Sequence, residues 1–253
     1  MAFPALVIGL AAGLLGGLLG LGGGVVIVPA LTEILRLGQR RAQATSLAVL
    51  VFTGLFGFLS YLAYGSVPLG PALWVTVGAV LAAPAGASLT HRISRRKLRA
   101  FFGILLVFVG IVMLTGLKEL PGEGGVAGVP GWVFFVLGVL RGGIGAMLGV
   151  GGGVIVVPAL VLLFGVKQHV AQGISLAAMA PMALVGSWTH WRHRKIEFRL
   201  LPGLVVGGLL GVVLGSTVAH WLPAGVLRRL FAVFLIFFGV QYARGNHLRR
   251  PAS

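Results

Sequence analysis

The chain is 253 residues long, 58% hydrophobic and only 9% charged. A soluble domain devotes about 25% of its residues to charge, so this composition excludes an ordinary cytosolic enzyme and a disordered chain. The absence of cysteine excludes a disulfide-stapled secreted scaffold and leaves the redox compartment open. What fits is an all-α polytopic membrane protein. The 42 glycines suit it, because helices in lipid approach one another through small residues.

In chain order, apolar stretches cover about 4–35, 42–64, 70–90 and 100–117, and then 131–165, 171–191, 200–221 and 227–243. The N-terminal stretch has no basic segment before it and no small-residue cleavage site after it, so it reads as a membrane segment rather than a signal peptide. The net charge of +16 does not point to nucleic acid. Its cations sit in short clusters between apolar stretches, such as Arg92, Arg95, Arg96, Lys97 and Arg99, or Arg192, Arg194 and Lys195. That is the placement of membrane loops, not of a phosphate-binding face.

The two series of stretches are copies. Leu19 to Leu31 reads LGLGGGVVIVPAL and Leu148 to Leu160 reads LGVGGGVIVVPAL, ten of thirteen positions being identical at an offset of 129 residues. The offset continues without a gap: Gln43 falls on Gln172, Ser46 on Ser175, Gly78 on Gly207 and Gly110 on Gly239. The sequence therefore predicts an N-terminal membrane repeat over 1–120, a linker over 121–130 and a C-terminal repeat over 131–253.

Eight simple crossings divide the loop Lys and Arg eleven to eight between the two sides. If the first stretch of each half is a re-entrant hairpin followed by three transmembrane helices, the halves are inverted repeats and the division becomes fifteen to four. The second division is the one a positive-inside topology produces. The arm Pro4 to Leu21 is nevertheless about 27 Å long as a helix, nearly the ~30 Å of the hydrocarbon core, so a tilted or broken crossing helix is the alternative.

The glycine spacing of Gly203, Gly207, Gly211 and Gly215, with Trp74, Gly78, Ala82 and Gly86 as its counterpart in the first half, reads as a packing ridge. Chemistry is expected elsewhere. There is no aspartate, and of the four glutamates Glu119, Glu123 and Glu197 lie in loops while Glu33 is placed to pair locally with Arg36. A cation or proton site made of carboxylates is thus absent from the bilayer stretches, which suits an anionic substrate.

Gly22, Gly23 and Gly24, and likewise Gly151, Gly152 and Gly153, interrupt apolar stretches near mid-membrane. Helices broken at matching places in two repeats are the sequence mark of a transporter site. Their bare amides, with the positive end of the restarting helix, suit an anion; close packing of a hairpin tip is the other reading. Pro29 and Pro158 are read as kinks in the returning arms.

Gln43, Thr45 and Ser46, matched by Gln172 and Ser175, open the second stretch of each half, either as helix caps or as donors to an oxyanion. Arg141 lies about ten residues inside an apolar stretch where its repeat counterpart is Ala12. It reads either as a forked donor to the substrate or as a snorkelling side chain. His190, beside Trp188 and Trp191, reads as interfacial. No catalytic residues, no metal ligands and no cofactor are indicated, and an enzyme is not expected.

The run GLGGGVVIVPAL with Gly38 and AQATSLA (Ala42 to Ala48), and its second copy GVGGGVIVVPAL with Gly165 and AQGISLA (Ala171 to Ala177), resemble the TauE/SafE sulfite exporter family over nearly the whole chain. The resemblance implies a multi-pass permease of a prokaryotic inner (plasma) membrane. It also implies a small anion such as sulfite or a sulfonate as the substrate. It carries over to Gly22, Gly23, Gly24, Pro29, Thr45 and Ser46, and to Gly151, Gly152, Gly153, Pro158 and Ser175. A frequent Gly-Thr-Ser of that family is Ala44-Thr45-Ser46 here and Gly173-Ile174-Ser175 in the second copy. The rival expectations are a channel-like anion pathway and a membrane scaffold or assembly factor without a transported ligand. A homo-oligomer is compatible with each of these.

Overall fold

A computed structural model describes residues 2–89, 95–115, 126, 128–192 and 195–244. Arg92, Arg194, Glu119, Glu123, nearly all of the expected linker and the basic tail beyond residue 244 lie outside the described residues.

Ten α-helices and no strand are present among the described residues: α1 (Ala2–Leu19), α2 (Gly24–Glu33), α3 (Gln39–Ala63), α4 (Leu69–Leu89), α5 (Arg95–Thr115), α6 (Gly131–Leu148), α7 (Gly153–Phe164), α8 (Gln168–Arg192), α9 (Leu201–Trp221) and α10 (Ala224–Arg244). Helices α3, α4, α6, α8, α9 and α10 are each long and apolar enough to cross a membrane. The first apolar stretch of each half resolves into two helices, α1–α2 and α6–α7, parted at the glycine runs.

The breaks have a backbone cause. Gly20, Gly22 and Gly23 in the first and Gly149, Gly151 and Gly152 in the second all have φ between 67° and 94°. An L side chain is strained there by about 1–3 kcal/mol, whereas glycine is not. Pro29 and Pro158 stay inside α2 and α7, each removing one helix amide.

Glycine also decides which helices touch. A Cβ on Gly207, Gly211 or Gly215 would come within 2.1–2.3 Å of the carbonyl oxygens of Leu6, Leu10 and Leu14, so α9 lies directly on the backbone of α1. Gly9, Gly13 and Gly17 of α1 meet α9 in the same way at Leu204, Gly208 and Val212. Residue numbers rise together along this contact, so α1 and α9 run parallel. Helices α4 and α6 repeat it through Gly78 on Phe135, Gly86 on Gly143 and Gly142 on Ala79. By contrast α3 and α8 are antiparallel, with Gly54 on Met179 and Gly57 on Leu176, and so are α5 and α10, with Gly110 on Ala232 and Gly239 on Gly103. The first helix of each half thus packs on a helix of the other half, and the two interlock. Contact this close replaces the hydrophobic drive that lipid does not supply.

Large apolar side chains such as Phe3, Leu73, Leu81, Phe108 and Trp221 point outward, while the interior is rich in Ala, Gly and Val. An exterior of that kind belongs in a bilayer, and the chain is a multi-pass membrane protein. The expected pair Glu33–Arg36 is not formed. Arg36 is the one non-glycine with positive φ among the described residues, at 53°, and the chain turns there, away from α2. The one ion pair among the described residues is Arg41 Nη1 to Glu197 Oε2, at 3.6 Å.

Candidate functional site

The two glycine tips meet inside the bundle. A Cβ on Gly24 would lie 2.9 Å from Val150, and one on Gly153 would lie 2.9 Å from the Gly20 carbonyl oxygen. Each tip is clamped by a serine from the opposite half. Ser46 Oγ donates to the Gly149 carbonyl at 2.9 Å, and Ser175 Oγ donates to the Gly20 carbonyl at 2.8 Å. These two bonds are related by the 129-residue offset, and all four residues lie at the junction because α3 and α8 cross beside the breaks. The serine hydrogens are therefore spent on the backbone in this conformation.

Gln172 packs on Gly20 and Gln43 on Gly149, again as counterparts. Their bonding differs. Gln172 donates from Nε2 to the Leu18 carbonyl at 3.3 Å, and its Oε1 lies 2.8 Å from the Tyr61 hydroxyl. That hydroxyl also lies 3.0 Å from the Gly17 carbonyl oxygen, so its single hydrogen is shared between two acceptors. Gln43 Oε1 is buried with no partner among the described residues. Thr53 adds a donor at the first tip, to the Gly22 carbonyl at 2.9 Å. Tyr61 and Thr53 were not singled out from the sequence. Their repeat counterparts are His190 and Met182, so the periodicity that marked the other polar residues is silent about them.

The amides of the glycine runs divide into two groups. Those of Leu21 and Gly22 both donate to the Gly16 carbonyl, at 2.9 and 3.2 Å, and that of Val150 donates to Gly145 at 3.2 Å. The Gly23, Gly151 and Gly152 amides have no acceptor among the described residues. Gly24 and Gly153 open α2 and α7, where first-turn amides lack intrahelical partners.

Arg141 is the most unusual side chain of the junction. It is 0% exposed, so it does not snorkel. Its stem lies beneath the second tip, a Cβ on Gly152 coming 2.7 Å from Arg141 Cγ. At the equivalent place under the first tip, Gly23 faces Ala12. Arg141 Nη1 donates to Ser175 Oγ at 2.8 Å, while Nε and Nη2 are buried without partners among the described residues. Nε–H and Nη2–H lie on one edge of the guanidinium and project side by side, the geometry that receives two oxygens of one acid group. A buried cation whose donors are left bare costs several kcal/mol.

Thr45 is not part of this junction. Its hydroxyl accepts the Glu197 amide at 3.0 Å and ties α3 to the α8–α9 connection. At that end of α3, Arg36, Arg40, Arg41 and Lys195 line a cationic groove of about 360 Å³. His190 is buried while Trp188 and Trp191, 4.9 Å apart, face outward. A helix turns these positions to different sides, so the histidine does not share the tryptophans' interfacial face.

The family profile described as "Sulfite exporter TauE/SafE" matches residues 1–113 and 134–253 of the chain. The chain is 28% identical to the "Probable membrane transporter protein YunE" of Bacillus subtilis, over 95% of its own length and 97% of that protein's. It is also 28% identical to a "Probable membrane transporter protein" of Xylella fastidiosa, with 90% and 88% covered, and 25% identical to one of Haemophilus influenzae, with 93% and 96% covered. No solved structure matches it.

Proposed function

Because the chain belongs to the TauE/SafE sulfite exporter family, a family of membrane transporters, we propose that it is a permease for small oxyanions of the sulfite and sulfonate type, acting in the inner membrane of a prokaryote. The observation that carries this reading is the buried Arg141 edge at the meeting of the two tips. No carboxylate of the described residues neutralises it: Glu33 is exposed and Glu197 pairs with Arg41. A sulfonate or sulfite would supply the missing charge and place two oxygens against Nε–H and Nη2–H. A halide offers one centre and matches that edge less well. Gln43, whose amide can turn to present Nε2, and the amides of Gly151 and Gly152 stand next to the same tip. The cationic groove at the start of α3 would draw anions toward one membrane face.

Movement of the substrate would follow from rocking one repeat against the other. Five helices per half, with α1 parallel to α9 and α4 parallel to α6, support an inverted arrangement of the repeats, because helices joined by short turns alternate in direction. The bonds Ser46–Gly149 and Ser175–Gly20 then join the moving halves and must exchange partners in each cycle.

The test is counterflow of radiolabelled sulfite and of a labelled alkanesulfonate in proteoliposomes. A carrier gives saturable trans-stimulated exchange in the wild type and loses it in Arg141→Gln. Unsaturable flux without trans-stimulation would favour a channel. Wild-type exchange in a folded Arg141→Gln protein would remove the site.

A further inference from the structure

At the far end of α3 from the cationic groove, a second polar cluster joins three helices. His220, near the end of α9, has its ring stacked on Tyr64 at 4.0 Å between centroids and set edge-on to Tyr61 at 4.5 Å. His169, at the start of α8, lies 5.4 Å from it. The hydrogen bonds fix both tautomers. A backbone carbonyl only accepts, so His220 Nδ1–H donates to Ser216 O at 2.7 Å and His169 Nε2–H donates to Ala219 O at 2.9 Å. The neutral His220 ring then has one lone pair left, on Nε2, and the Ser66 hydroxyl, 3.1 Å away, donates to it.

We propose that the His169–His220 pair is a one-proton site that couples the permease to protons, one proton travelling with each singly charged anion. The proposal rests on the transport reading above for its cargo, and on this cluster alone for the proton. A proton arriving from solution forms its bond to the Nε2 lone pair of His220. The Ser66 hydroxyl turns over and becomes the acceptor, and the ring is an imidazolium with every N–H satisfied. Tyr64, stacked on the ring, presents π surface to that cation. Release on the other side restores the lone pair. His169, 5.4 Å away, keeps its Nε2–H on the Ala219 carbonyl, and two cations at that separation repel one another.

Among the described residues no acid bonds to either ring. The groups facing the rings are Tyr61 and Tyr64 from α3, Ser66 from the α3–α4 turn and Ser216 from α9 itself. Lys167 and Arg228, the cations on the neighbouring segments, bond to neither ring among the described residues. His190 sits at the opposite end of α8 and has interactions of its own. The cluster also reaches the anion site. Tyr61, edge-on to His220, holds Gln172 and the Gly17 carbonyl through its hydroxyl, and Gln172 packs on Gly20 of the first tip. A charge appearing on His220 therefore acts on the residue that positions that tip.

The test uses the full chain in proteoliposomes with the membrane potential clamped at zero, and the sulfite and alkanesulfonate probes named above. In wild type, an acidic exterior drives accumulation of the alkanesulfonate with a ceiling of about tenfold per pH unit, the value for one proton per anion, and an internal pH dye reports the matching acidification. His220→Gln and His169→Gln each keep counterflow within about twofold and lose the gradient-driven accumulation. Gradient-driven accumulation surviving in both variants overturns the site, and so does wild-type counterflow that a pH gradient leaves unchanged; in both cases the carrier reading stands. Absence of counterflow with both probes removes the carrier reading instead. The proton site is then decided by ¹⁵N-histidine spectra of the wild-type protein, with His220→Gln and His169→Gln as assignment controls. One imidazolium per pair between about pH 8 and 5 supports it, and two or none overturns it.

Discussion

The two glycine tips have nearly the same sequence and the same left-handed backbone, yet they carry different chemistry. Around residues 20–24 every conspicuous polar side chain is occupied: Thr53 binds Gly22, and Tyr61 and Gln172 bind each other and the end of α1. Around residues 149–153 Gln43 Oε1 and the outer edge of Arg141 are unoccupied among the described residues. The difference comes from outside the repeated motif. Ala12 is replaced by Arg141, Thr53 by Met182 and Tyr61 by His190, while the serine clamps and the glycines are kept. The two breaks share their glycines and serine clamps, and three unmatched side chains leave one braced by hydrogen bonds and the other with polar groups that have no partner among the described residues.

The largest effect is expected from removing that asymmetry. Arg141→Leu takes away the charge and makes the second tip resemble the first. Truncating a buried charge contact costs about 2–5 kcal/mol, so exchange should fall by about 30- to 5000-fold. The protein should meanwhile fold at least as well, since its bare guanidinium is a stability cost. Melting in detergent beside counterflow in liposomes checks both halves of the statement, and a melting temperature that collapses with the flux would make Arg141 a structural residue.

Next in size are the tips themselves. A Cβ on Gly23 would lie 2.5 Å from the Ala12 carbonyl oxygen and one on Gly152 would lie 2.6 Å from that of Arg141, both at positive φ. Gly23→Leu and Gly152→Leu should each lose more than the ~1–3 kcal/mol of backbone strain alone. Because Gly152→Leu also displaces the Arg141 stem, it should abolish exchange in whatever fraction folds, whereas folded Gly23→Leu retains some. Equal residual rates per folded molecule would erase the proposed difference between the tips.

A smaller contrast is expected from the clamps. Ser46→Ala and Ser175→Ala each strip one buried carbonyl of its donor, about 1–3 kcal/mol. Ser175→Ala further frees Arg141 Nη1, so it should be the more destabilising of the two by urea or thermal titration, and a reversed order would contradict the bonding described. Tyr61→Phe should have the least effect on stability, about 1 kcal/mol, read from the melting temperature, because Gln172 keeps its bond to Leu18.

Much of this was legible in the sequence because it is local. Glycine runs flanked by apolar residues must break a helix, and the 129-residue repeat marked Gln43, Ser46, Gln172 and Ser175 as a set before any contact was known. The expected use of those serines was less accessible. Their hydroxyls look like donors to a ligand from the sequence, but the tip they reach belongs to the other half and takes the hydrogen on its backbone. Thr45 is adjacent to Ser46 in sequence, but successive helix residues point about 100° apart and its hydroxyl meets the Glu197 amide instead. Tyr61, Thr53 and His169 have unlike counterparts at the 129-residue offset, and although His220 falls on His91, its pairing with His169 becomes visible only when α3, α8 and α9 come together.

Composition and local pattern alone determined that this chain is helical, membrane-embedded and broken at two glycine runs, since each of these follows from the properties of residues near one another along the chain. Only the tertiary structure decided that α1 packs on α9 and α4 on α6, that each tip is held by the opposite half, and that Arg141 is buried with one edge bare. Those outcomes depend on which backbones approach within contact distance across more than a hundred residues. In lipid, that choice is made by the fit of small-residue ridges rather than by hydrophobicity, which is nearly the same on every face.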